Sequence, residues 1–201
     1  MKEKRIEKMK RIFEKNGGVA KYSLLRENKF CSKDIAELVS GGYLSKVKTG
    51  YYTWVFQNSE ISELTLAASV VKNGVICLLS AAAYYELTTV NPTAIDIAVH
   101  TGGKPPVLPS YPPIQLHRFK NTHFDLGISE VMIDLIPVRI YDKERTICDL
   151  FRMRSQFGMD VALETLKTYM SVKDVHIQKL YEYAEKMRLK TVIMPYVEAL
   201  I

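Results

Sequence analysis

Apolar residues at Ile35, Leu38 and Val39 recur at i, i+3, i+4, a spacing that predicts a helix with one apolar stripe beginning near Ser32. Ser32 is read as its N-cap, because a serine hydroxyl accepts from a free backbone N–H of the first turn. Gly41 and Gly42 end it, since glycine enters the left-handed conformation at a helix C-terminus without a Cβ penalty. Residues 44–47 and 51–55 are rich in apolar, aromatic and β-branched side chains and predict two strands, with Lys48-Thr49-Gly50 as the turn between them. Upstream, Ile6, Met9, Ile12 and Phe13 place an apolar stripe on a helix over residues 2–15, which Asn16-Gly17-Gly18 ends. Val19 and Ala20 then lead into a second helix carrying Tyr22, Leu24 and Leu25, and Lys29-Phe30-Cys31 forms the turn before the third. A helix pair followed by a two-stranded ribbon predicts a winged helix-turn-helix over 1–57, whose second helix enters the major groove while the ribbon touches flanking backbone.

Beyond the polar run Gln57-Asn58-Ser59, read as a domain boundary, the pattern changes over 58–201. A helix is predicted over 61–72, broken at Asn73-Gly74, and a short one over 81–87 starting at Ser80. Residues 94–99 and 114–119 read as strands separated by the proline-rich loop 105–113, and 130–134 and 137–141 as two more. Helices follow over 143–155, 160–170, 174–187 and, across Pro195, 191–200, with Asp142 and Asp174 placed as caps of the first and third. The expected fold class is α+β: an N-terminal winged helix-turn-helix followed by a mixed α+β C-terminal domain with a helical tail.

Charge sharpens this picture. The 201 residues carry a formal net charge of +6, with 47% apolar residues, ordinary for a globular protein. Residues 1–57 hold thirteen Lys/Arg against six Asp/Glu, a net of +7, whereas 58–201 hold fifteen against sixteen, a net of −1. The excess positive charge therefore falls on the segment with the ribbon pattern, as a nucleic-acid footprint requires. Lys46 and Lys48, two apart on a strand, are expected on one face, flanking an inward Val47. Lys33 sits at a helix N-terminus, where free N–H groups also meet a phosphate. Lys21, Arg26 and Lys29 are candidate backbone anchors, and Ser32 and Thr49 complete the candidate DNA-binding set. If about five phosphates are neutralised, affinity falls roughly several-hundred-fold between about 50 and 200 mM salt. Tyr51, Tyr52 and Trp54 are read as ribbon core, and the first helix's lysines as a solvated face.

Other chemistry is sparse. Cys31, Cys77 and Cys148 are odd in number and lack C-x-x-C spacing, so they are read as buried thiols in a reducing cytosol. No signal-peptide pattern is present, and the longest nearly apolar run, 75–85, is too short to cross a bilayer; a soluble, cytoplasmic protein without a membrane partner is expected. Thr101-Gly102-Gly103-Lys104 lacks phosphate-loop spacing. His100, His117, His123 and His176 have no metal-ligand spacing. Asp96, Asp125 and Asp134 form no D-x-D pair, and no G-x-S-x-G elbow occurs. No catalytic residue, metal or cofactor is expected. Arg145 and Asp149, four apart, are read first as a pair pinning a helix to the sheet, worth tenths of a kcal/mol if exposed.

The order of these pieces resembles the AbiEi family of antitoxins from type IV toxin–antitoxin (abortive infection) systems. The likeness rests on Gly17-Gly18-Val19-Ala20, the helix ending at Gly42 before Leu44, and the wing Thr49-Gly50-Tyr51-Tyr52. It continues through Leu79-Ser80-Ala81-Ala82-Ala83, Pro137-Val138-Arg139-Ile140 and Arg145-Thr146-Ile147-Cys148-Asp149-Leu150, so that it covers nearly the whole chain. The reading helix departs from the family's arginine-rich pattern, carrying Asp34 and Glu37 beside Lys33, and Thr49 stands where the family places arginine. The resemblance implies a cytoplasmic repressor of its own operon that binds inverted repeats in double-stranded DNA; self-association on the DNA is a further expectation. It also implies antagonism of a nucleotidyltransferase-like toxin, direct or indirect, through the C-terminal domain. A winged-helix regulator with a ligand-sensing C-terminal domain, or a DNA-tethered enzyme, remain the alternatives.

Overall fold

A computed structural model describes residues 3–55, 61–102, 106–134 and 136–200. The polar boundary read at Gln57-Asn58-Ser59 lies outside the described residues, as do Gly103 and Lys104 of the glycine-containing loop. The chain is mixed α+β with two sheets, and it divides into two compact units. One comprises residues 1–72, 105–114 and 131–138; the other comprises 73–104, 115–130 and 139–201.

The first unit opens with α1 (Glu3–Lys15), β1 (Val19–Lys21), α2 (Tyr22–Glu27), α3 (Ser32–Ser40), β2 (Leu44–Lys48) and β3 (Tyr51–Trp54). The apolar stripe of α1 buries Met9 and Phe13 completely, and these pack with Leu25, Phe30, Ile35, Leu38, Leu44 and Trp54. Trp54 anchors the cluster, its ring 5.7 Å from Phe13 and 6.2 Å from Tyr43. Val39, expected on the same stripe, is exposed. It lies just past the edge of the buried face, because Ile35 and Leu38 already fill the contact.

The three strands form an antiparallel sheet in the order β1-β3-β2. The strand β1 was not predicted: three residues are too few for alternation to register, and it exists because the outer edge of β3 is open to pairing. Ala20 lies opposite Tyr52, and Lys21 opposite Tyr51. The N–H of Trp54 donates to the Gly18 carbonyl at 2.9 Å, extending the ladder past the strand end.

Helix α3 begins one residue earlier than the Ser32 cap reading requires. Cys31 holds the extended N-cap backbone, its N–H donates to Asp34 Oδ2 at 2.8 Å, and Ser32 is the first helical residue. Aspartate three positions into a helix reaches back to the cap more directly than the serine hydroxyl can. At the other end Gly42 takes φ +74°, while Gly41 stays at −81°. The Gly42 N–H bonds Val39 O at 3.1 Å and the Tyr43 N–H bonds Leu38 O at 2.9 Å, the paired closure of a Schellman motif.

The first unit also holds α4 (Glu63–Val70), capped by the Ser62 hydroxyl. Asp134 braces that cap, accepting from the Ser62 N–H at 2.9 Å and the Thr65 hydroxyl at 2.7 Å. Burial opposes ionisation of Asp134, and these hydrogen bonds outweigh it, holding the carboxyl below its usual range.

The remaining elements are β4 (Val75–Ile76), α5 (Leu78–Tyr84), β5 (Ile95–His100), β6 (Ile114–Phe119), α6 (Asn121–Phe124), β7 (Ile128–Ile133) and β8 (Ile136–Tyr141). They are followed by α7 (Lys143–Arg152), α8 (Arg154–Phe157), α9 (Met159–Ser171), α10 (Ile177–Lys186) and α11 (Lys190–Glu198). Five strands make the second sheet in the order β6-β5-β4-β8-β7, with β4 antiparallel to β5 and parallel to β8. The two-residue strand β4 is hidden in the sequence, because a short buried strand inside an apolar run has no period of its own. The predicted helix over 143–155 is interrupted at Met153, which separates α7 from α8. Asp142 caps α7 as predicted, its Oδ1 accepting from the Arg145 N–H at 2.8 Å. Asp174 does not cap α10: His176 occupies the cap position, and Asp174 pairs with the His176 ring at 3.1 Å.

Helix α7 is buried from Glu144 to Phe151, so its polar side chains must be satisfied inside the unit. The Arg145 Nε donates to Asp149 Oδ2 at 2.9 Å, and Nη1 donates to the carbonyls of Leu126 and His123. Its guanidinium lies 4.2 Å from the centre of the Tyr141 ring, and its Nη2 has no hydrogen-bond partner among the described residues. Glu144 accepts from the Tyr169 hydroxyl at 2.6 Å, and Lys179 bridges Asp142 and Glu144 at 3.1 Å each.

Candidate nucleic-acid interface

The candidate cations other than Arg26 fall into two groups within the first unit. At the start of α3, Ser32 and Lys33 are exposed, and Lys29 precedes them in the turn with φ +69°. That turn is clasped by α1. Arg5 Nη2 donates to the Lys29 carbonyl and to Asp34 Oδ2, both at 2.8 Å, and Lys8 Nζ reaches the Asn28 carbonyl at 3.4 Å. Arg5 also lies over the Phe30 ring, 5.0 Å from its centre. By sequence pattern alone these two residues belong to a solvated lysine face. No local pattern marks them, because the turn they hold is twenty or more residues further along the chain.

Asp34 is thereby spoken for. The Cys31 N–H and the Arg5 guanidinium hold its carboxyl down at about 2, from an ordinary 3.8. Its charge is turned back onto the helix end and onto Arg5, rather than projecting as a free carboxylate beside Lys33.

The hairpin supplies the second group, and here the expected face assignment fails. Lys46 lies opposite Tyr52, but Lys48 lies opposite Tyr51, with a bulge between the two lysines. Neighbours on β3 point to opposite sides, and cross-strand partners share a side, so the bulge sends Lys46 and Lys48 to opposite faces. Val47 is the extra residue, half-buried rather than the inward centre of a regular strand.

The two lysines then meet different surroundings. Lys46 is exposed and helps line a groove of about 340 Å³ between α3 and the hairpin, together with Ser32, Ala36, Val39, Ser40 and Tyr52. Lys48 is half-buried and donates to Val107 O at 2.7 Å and Val70 O at 3.0 Å. Val70 is the last residue of α4, where unpaired carbonyls favour a cation. Burial lowers the Lys48 pKa despite the Tyr51 ring beneath it, and the neighbouring Lys21 charge pushes the same way. Lys21, at the end of β1, rests over the other edge of this site with its ammonium 5.4 Å from the Tyr51 ring centre. Arg26 is exposed in the last turn of α2, and Thr49 is exposed at the hairpin tip beside Gly50, φ +78°. The structure thus brings Ser32 and Lys46 to one groove and gathers Lys21 and Lys48 around Tyr51; Arg26 and Thr49 neither line that groove nor lie over that ring. Cys31, expected to be buried, is exposed; Cys77 and Cys148 are buried.

In the second unit one polar cluster escaped the sequence reading. Asp96 Oδ1 and His117 Nε2 are 2.7 Å apart, both nearly buried, and the Asp96 N–H donates to the Ser80 hydroxyl at 2.8 Å. Ser80, expected to start a helix, lies inside α5, whose cap position is Cys77. The carboxylate stands between serine and histidine, the reverse of a nucleophilic triad, in which the imidazole bridges the other two. Among the described residues no group of three or more His, Cys, Asp or Glu could hold a metal ion. No helix among them is long and apolar enough to cross a membrane. Neither protein-family models nor curated proteins match this chain.

Proposed function

We propose that this protein is a cytoplasmic DNA-binding antitoxin of the AbiEi kind. Residues 1–57 act as a winged helix-turn-helix that docks on inverted repeats in its own promoter and represses the operon, two copies associating on the DNA. Residues 58–201 antagonise a nucleotidyltransferase-like toxin without catalysis of their own. The observation that carries the DNA half is the groove framed by α3 and the hairpin, which joins Ser32 to Lys46 in the segment with a net charge of +7. Under this reading Lys46 and Lys33 supply backbone contacts, and Lys48 instead sets the hairpin's position, because its ammonium is already engaged by two carbonyls.

The test is a mobility shift with the DNA upstream of the gene, repeated across salt concentrations. A discrete complex that weakens roughly several-hundred-fold between about 50 and 200 mM salt is expected. Indifference to that fragment in dilute buffer overturns the proposal. For the other half, co-expression with a nucleotidyltransferase-like product of the adjacent gene should restore growth, and continued arrest would refute toxin antagonism.

A further inference from the structure

The groove-facing side of α3 carries almost no charge. Ser32, Ala36, Val39 and Ser40 follow one another at i, i+4, i+7 and i+8, so they share one face of the helix, and all four line the groove. Val39 is 38% exposed, a large apolar side chain left uncovered on a helix whose other apolar residues, Ile35 and Leu38, are 2% exposed. Lys33 is the one cation on the helix. The face is therefore methyl- and hydroxyl-bearing, set inside a cationic segment, with Lys46 on the opposite wall.

From this face we infer that, if the first unit binds duplex DNA as proposed above, α3 reads thymine C5-methyl groups through Ala36 and Val39. The positive surroundings select a polyanion, and Lys46 meets its backbone. The bases then present to α3 either hydrogen-bonding edges or methyl groups. Guanine is read by a bidentate arginine or lysine, adenine by asparagine or glutamine, and cytosine by aspartate or glutamate, none of which is among these four residues; apolar side chains pack on the thymine methyl. Ser32 bonds a donor or acceptor of any base and so adds affinity without choosing, whereas the Ser40 hydroxyl donates to the Glu37 carbonyl at 2.9 Å. Specificity therefore falls on A·T-rich half-sites, with thymines opposite the middle and last turns of α3.

The test uses the full chain and a duplex selected by it from a random pool. Affinity is measured for that duplex and for the same sequence with deoxyuridine in place of thymidine, which removes the methyl and keeps every hydrogen bond. Roughly fourfold weaker binding is expected for each methyl that was buried. Val39→Ala, at an exposed helical position, should weaken binding to the thymidine duplex and shrink the thymidine-to-deoxyuridine ratio. Because the ratio is taken within one variant, a loss of folded protein does not mimic it. Equal affinity for the two duplexes, or a selected half-site centred on guanine, overturns the inference while leaving DNA binding intact. Failure to select any duplex overturns both.

Discussion

Asp34 illustrates how a side chain that looks wrong for its setting acquires a role once its partners are known. A carboxylate on a helix proposed to face phosphates would repel them, yet this one accepts from Cys31 N–H and pairs with Arg5. Its folded pKa, about 2, lies below the ordinary 3.8, so its contribution is present above the ordinary value and is lost as pH falls through about 2. Asp34→Asn should lower stability by about 1 kcal/mol at neutral pH and flatten the acid limb of the stability curve, as followed by urea unfolding between neutral and acid pH. Arg145 is the buried counterpart. Desolvation pushes the Asp149 carboxyl up, and the guanidinium pulls against it. Arg145→Ala, by stranding Asp149 in the core, should cost about 3–5 kcal/mol in urea titrations. The double variant Arg145→Met with Asp149→Leu should recover most of that loss. An equal loss in the double variant would mean that the carbonyl contacts of Leu126 and His123 matter more than the charge pair.

Elements depend on their ends as much as on their stripes. Helix α3 is closed by Gly42 in the left-handed region, where an added Cβ would meet nothing within 4 Å. Gly42→Ala therefore isolates the backbone cost from any clash. A loss of about 1 kcal/mol is expected in thermal or denaturant unfolding; a neutral result would mean that the Schellman closure does not hold the turn into β2. The hairpin shows the same dependence on a single irregularity. One bulged residue turns Lys46 and Lys48 to opposite faces, so lysines that look equivalent by spacing do different work.

At the scale of the whole molecule, the proposed division of labour makes the two lysines separable. Lys46→Ala should weaken operator binding, reduce its salt dependence by about one counterion, and leave toxin rescue intact. Lys48→Ala removes the donor to Val70 and Val107, so it should lower stability by about 1 kcal/mol and leave the salt slope unchanged. The reverse pattern in mobility shifts would place Lys48, not Lys46, on the backbone. The second unit has its own apolar core, in which Ile147, Cys148, Leu150 and Phe151 of α7 are buried.

How much was legible beforehand follows from the range of the interactions involved. Periodicity located α1, α3, β2, β3 and the strands β5 and β6, and the Asp142 cap was readable, because each depends on residues within a few positions of one another. Short strands such as β1 and β4 were not, since each forms only when a distant partner offers its edge. The Arg5 clasp, the burial of Arg145, the hairpin bulge and the Asp96–His117 contact likewise join residues that the sequence keeps apart. Local order thus came from side-chain spacing and backbone preference. Which face each lysine takes, and which carboxylate is left free, was decided only when separate elements packed together, because burial and pairing are properties of neighbours in space.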